Sequence, residues 1–174
     1  MRRPRYALAR RKALEILQAA RVKKPPVPLE KLAASLGAIL RYEPFAGELS
    51  GTVYRRPEGG AVIGINSLHS AARKRFTLAH ELGHLLLHKD EKLHVDEQSP
   101  IGLRTDLSST ATDANEIEAN QFAAELLMPE KFLIKDLEEL PSLEADVAID
   151  RLAKRYEVST ESMTIRLSKL GALS

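Results

Sequence analysis

The 174-residue chain has no cysteine and no tryptophan, and only 5% of it is aromatic. Without thiols there is no disulfide, no thiol nucleophile, no iron–sulfur cluster and no thiolate zinc site, so any metal must be held by His, Asp or Glu. Long apolar runs are missing too. The longest stretch free of Asp, Glu, Lys and Arg, Gly59 to Ala72, covers 14 residues, short of the roughly 20 apolar residues that cross a bilayer as a helix. The basic opening MRRPRYALARRK leads into no apolar h-region or small-residue cleavage site, so a cytoplasmic protein is expected. What is present, 44% hydrophobic and 29% charged residues, suffices for one buried core.

Charge is unevenly spread. Residues 1 to 24 carry nine Lys or Arg against Glu15 alone, a local +8, while the remaining 150 carry 17 against 23, giving −6. A basic N-terminal arm of this kind can dock on nucleic acid or an acidic partner by releasing counterions, or simply be a solvated helix face.

Periodicity divides the chain. ALARRKALEILQAAR (7 to 21) spaces apolar residues as a helix does, and Pro25, Pro26 and Pro28 then form a stiff corner. A short helix over 28 to 36 ends at Gly37. Between 38 and 66, AILRYEPF, SGTVYRR and AVIGIN are short, rich in Val, Ile and Tyr, and punctuated by glycines, which predicts a small three-stranded antiparallel meander. Helices are expected over 70 to 88, 114 to 128, 130 to 139, 146 to 156 and 160 to 170. The fold class is therefore α+β, mostly helical. The polar segment from 89 to 113 is too long for an ordinary connector and is a candidate lid.

The most informative residues are His80-Glu81-Leu82-Gly83-His84. H-E-x-x-H lets two imidazoles one helical turn apart reach a single zinc ion, with the intervening Glu beside them. On a helical wheel His84 lies about 40° and Glu81 about 100° from His80, with apolar residues filling most of the remainder. Such a helix must be buried, and its polar stripe of Arg73, Thr77, His80, Glu81, His84 and His88 faces a gap. His88 is about 12 Å along the axis from His80, too far to join the same ion, and is expected to support a ligand or to act as a helix C-terminal cation.

A catalytic zinc needs a third protein ligand. On the 114 to 128 helix the wheel puts Glu116 and Asn120 on the core-facing side and Glu118 and Glu125 opposite, where they are expected to meet solvent. A carboxylate at Glu116 is costly unless paired or bound to metal, which makes it the candidate third ligand, or else the partner of Arg73 or Arg75. Asn120 is placed to hold a ligand imidazole by its other nitrogen. His69 and His94 are weaker ligand candidates. One zinc ion per chain would support peptide hydrolysis, with Glu81 as general base; the oxyanion donor is open among Tyr54, His88, His94 and Arg73.

RFTLAHELGHLLLH (75 to 88) and EIEANQFAAELLMP (116 to 129), preceded by PPVPLEKLAASLGA and SGTVY, resemble the ImmA/IrrE family of bacterial zinc metallopeptidase-like proteins over about residues 10 to 130. The resemblance implies a zincin-like fold, zinc on His80, His84 and Glu116, and Glu81 as catalytic carboxylate. It also implies site-specific proteolysis of a helix-turn-helix repressor, leading to derepression. The domain is expected to span 1–140. Residues 141–174 are expected to pack on it as a helix-turn-helix-like pair, with Ser159 as N-cap. The segment 146 to 174 has five basic against four acidic residues, so DNA binding by 147–171 is weakly supported. The rival reading is a non-enzymatic DNA-binding or antitoxin-like module with a structural zinc.

Overall fold

A computed structural model describes residues 2–47, 49–90, 92–97, 111–140 and 144–172. The elements run α1 (Tyr6–Ala19), α2 (Leu29–Ser35), β1 (Ala38–Glu43), β2 (Leu49–Arg55), β3 (Ala61–Asn66), α3 (Ala71–Leu87), β4 (Leu93–Glu97), α4 (Ala111–Leu127), α5 (Glu130–Glu138), α6 (Ala145–Tyr156) and α7 (Thr160–Lys169). Each helix falls where the apolar spacing puts it. None among the described residues is long and apolar enough to cross a membrane.

The sheet differs from the expected meander. Among the described residues it has four strands in the order β1-β3-β2-β4, with β1 parallel to β3 and the other pairs antiparallel. β3 takes the interior because it is the strand most buried along its length, with Ala61, Ile63 and Ile65 fully inaccessible. Alternation along a strand reports which face is buried, not which neighbour it pairs with or in which direction. The fourth strand lies inside the polar segment expected to be a lid; residues 98–110 of that segment lie outside the described residues. β4 covers the edge of β2, so the outer strand at that side comes from beyond the 38–66 segment.

α3 packs on β2 and β3 with one face and on α4 with another, while α1 covers the far side of α4. Ser70 caps α3, its hydroxyl accepting from the Arg73 amide, and Arg55 closes the other end by donating to the carbonyls of His84, Leu85 and His88. From Ala114 to Leu127 no side chain of α4 is exposed. Glu118 and Glu125, expected at the surface, are 0% and 3% exposed. The wheel finds the face turned to α3 but cannot show that a second helix covers the other. At the C-terminal end, Glu157 in the left-handed region (φ 54°) turns α6 into α7, and the Ser159 hydroxyl caps α7 by accepting from the Ser162 amide.

Candidate metal centre

Gly83 lets α3 and α4 meet closely: a Cβ there would lie 3.0 Å from the Ala119 Cα and 3.2 Å from its carbonyl oxygen. The approach brings one carboxylate of α4 against two imidazoles of α3. Glu116 Oε2 is 3.3 Å from His80 Nε2, and Glu116 Oε1 is 3.3 Å from His84 Nε2. The two Nε2 atoms are themselves 3.1 Å apart. A fourth donor comes from the sheet, His94 on β4, whose Nε2 is 3.4 Å from Glu116 Oε1 and whose ring stacks on His84 with centroids 3.5 Å apart. The four ligand atoms lie within 4.8 Å of one another.

These separations fit a metal ion. Donors bound tetrahedrally at about 2.0–2.1 Å from one ion stand roughly 3.3 Å apart. The tautomers agree. His80 donates from Nδ1 to Asn120 Oδ1 at 2.9 Å, which leaves Nε2 as a lone pair toward the cluster. Two imidazole lone pairs at this range repel unless a cation lies between them, so the donor set is chemically that of a metal site.

Glu81 is fully buried, one residue along the helix from His80. Room for it is made by β2: a Cβ on Gly51 would fall 2.7 Å from Glu81 Oε1 and 2.5 Å from Thr77 Cγ2. Arg73 is directed to Ser50, donating to its hydroxyl at 2.9 Å, and Arg75 reaches the Val27 carbonyl and Glu157; neither is the partner of Glu116. Tyr54 is 44% exposed and pairs with Leu93 across the strands, on the face opposite that of Val53 and His94. His88, at the end of α3, is 5% exposed and contacts His84, Nδ1 to Nδ1 at 3.0 Å. His69 lies near Asn66, away from the cluster. The association of His94 with the cluster could not be read from sequence spacing, because β4 reaches the site only through its pairing with β2.

The family model of the IrrE N-terminal-like domain, a peptidase family designated M78, matches residues 33–168, over three quarters of the chain. The radiation response metalloprotease IrrE of Deinococcus radiodurans is 37% identical over 122 residues, covering 65% of this chain. The chain spans about a third of that relative's length, 32%. A solved structure, a Mycobacterium tuberculosis transcriptional regulator, superposes with a TM-score of 0.59 at 18% identity, covering 92% of this chain and 46% of the other, which is a likeness of fold. On the family match and the histidine–glutamate cluster together, the chain belongs to the IrrE N-terminal-like metallopeptidase family.

Proposed function

We propose that the chain is a zinc-dependent endopeptidase in which His80, His84 and Glu116 hold the ion and Glu81 is the general base. The observation that carries the reading is the donor set itself, two imidazole Nε2 atoms and one carboxylate with mutual separations of 3.1 to 3.3 Å, beside a buried glutamate on the same helix. An ion held there supplies Lewis acidity toward a scissile carbonyl and makes water more acidic. Glu81 takes the proton of the attacking water and passes it to the leaving amine. His94 is placed at the same cluster by an outer strand, and its imidazole N–H can meet the oxygen on which charge builds. Arg73 and Tyr54 have other surroundings, described above, and are less well placed. The outer edge of β4 is suited to hold an extended peptide by strand addition.

A second reading is favoured by one observation: His94 makes four protein donors, and four donors close a structural site. Replacing His94 by Ala separates the two. An enzyme keeps its zinc and loses about 10²–10³ in turnover, whereas a closed structural site loses metal.

The substrate we propose is a helix-turn-helix transcriptional repressor, cleaved at one position; the support is the motif resemblance and the kinship with a metalloprotease named for the radiation response. Incubating the protein with the repressor encoded beside its gene, with and without chelator, tests it. A single chelator-sensitive cut is expected, and an intact repressor bound or ignored would sink the proposal. DNA binding by 147–171 has less support. In α7, Arg166 is committed to Glu125, and Met163 and Leu167 are buried, as in a helix that completes a core.

A further inference from the structure

The basic N-terminal arm is tied into the molecule at one point. Arg2 and Arg5 converge on Glu118: Arg2 Nη2 donates to Oε1 at 2.6 Å, Arg5 Nη2 to Oε2 at 2.8 Å, and the Arg5 amide to Oε1 at 2.8 Å. Arg2 also donates to Asn115 Oδ1 at 2.7 Å. Glu118 is fully buried. Glu118 also meets His88, whose Nε2 is 3.1 Å from Oε2, and His88 Nδ1 stands 3.0 Å from His84 Nδ1.

With a neutral His88 the chain of contacts has one consistent direction. A carboxylate only accepts, so His88 carries its proton on Nε2 and donates it to Glu118. Its Nδ1 is then an acceptor, and the proton between the rings belongs to His84 Nδ1. That leaves His84 Nε2 as a lone pair facing His80 and Glu116. Asn120 does the same for His80 in a single step. For His84 the step runs through His88 and Glu118 to two arginines at the start of the chain.

We propose that the N-terminal arm is an intramolecular strap that positions a metal ligand: Arg2 and Arg5 hold Glu118, Glu118 sets the tautomer and orientation of His88, and His88 sets His84. This rests on the metal site proposed above and gives the local positive charge a role inside the fold. Outer groups of this kind typically contribute 10- to 100-fold in metal affinity.

The test is divalent zinc affinity of the full chain, measured by competition with a chromogenic chelator, for the unaltered protein and for Arg5→Ala, Arg2→Ala/Arg5→Ala and Glu118→Gln. Arg10→Ala is the control, because Arg10 pairs with Glu130 from the same N-terminal region without touching Glu118. Expected are losses of about 10-fold or more for the strap variants, partial recovery in Arg5→Lys, an altered absorption spectrum of the cobalt-substituted protein, and no change for Arg10→Ala. Arg5 is a surface side chain, 45% exposed, so its variants test the strap should Glu118→Gln fail to fold. Unchanged affinity in the arginine variants, or equal losses in Arg10→Ala, overturns the strap while leaving the metal site standing. An unaltered chain that binds no zinc overturns both.

Discussion

The two ends of α4 bury carboxylates in opposite chemical company. Near its C-terminal end, Glu125 meets Arg166 of α7 in a two-pronged ion pair of 3.0 and 2.7 Å, and Arg166 Nε donates to the Met128 carbonyl. Every group there has the partner it needs, with nothing left to bind. Near its N-terminal end, Glu116 faces His80, His84 and His94, and the Nε2 atoms of the first two are electron-pair donors like itself. Burial alone therefore does not distinguish a structural acid from a functional one. The partner does: a guanidinium completes the carboxylate, whereas imidazole nitrogens held as lone pairs by outer hydrogen bonds leave the set short of a cation.

The sharpest test of that contrast is a pair of substitutions with opposite signatures. Glu81→Gln should retain zinc and lower turnover by about 10²–10⁴, some 3–5 kcal/mol of barrier, with the melting temperature little changed. Arg166→Ala should destabilise the fold by about 3–5 kcal/mol, because it strands a buried carboxylate, while the folded fraction binds zinc with unaltered affinity. Denaturant titration beside a chelator competition reads both; weakened zinc binding in folded Arg166→Ala would mean the two ends are coupled. Gly51→Ala should show a smaller effect, about 1–3 kcal/mol of overpacking, falling first on Glu81 and therefore on turnover before metal content. Normal turnover in that variant would show that Glu81 has room to move. Lys154→Ala breaks an exposed pair with Asp150 on α6 and should cost about 0.3–0.5 kcal/mol, with neither activity nor zinc affected. It sets the floor against which the other changes are measured.

Much of this contrast is legible in the chain as written, and the rest for identifiable reasons is not. The apolar spacing marks the seven helices of the described residues, and the H-E-x-x-H turn marks His80, Glu81 and His84 at once, since residues four apart share a helix face whatever surrounds them. The wheel also turns Glu116 and Asn120 toward α3, where the structure finds them. It misreads Glu118 and Glu125 because it assumes one buried face, and α4 has neighbours on both. The meander misleads in the same way: Ile63 and Ile65 read as a strand, but their central position and the parallel pairing with β1 depend on three other segments.

His94 is the clearest case of information absent from local sequence. It sits in a polar stretch with no periodicity, and enters the cluster only because Val53 lies opposite it in the β2–β4 register. The strap likewise joins Arg2 and Arg5 to Glu118, 116 and 113 positions away.

By itself, then, the amino-acid order determined the helices, the burial of α3, the pair of imidazoles and the acid between them, all consequences of contacts within one or two turns. Which carboxylate stands against the imidazoles, which is neutralised by arginine, and which strand brings His94 beside them were decided by packing. Glycines at 51 and 83 set how near the backbones come, and only at that separation do donors from distant segments stand within reach of one ion.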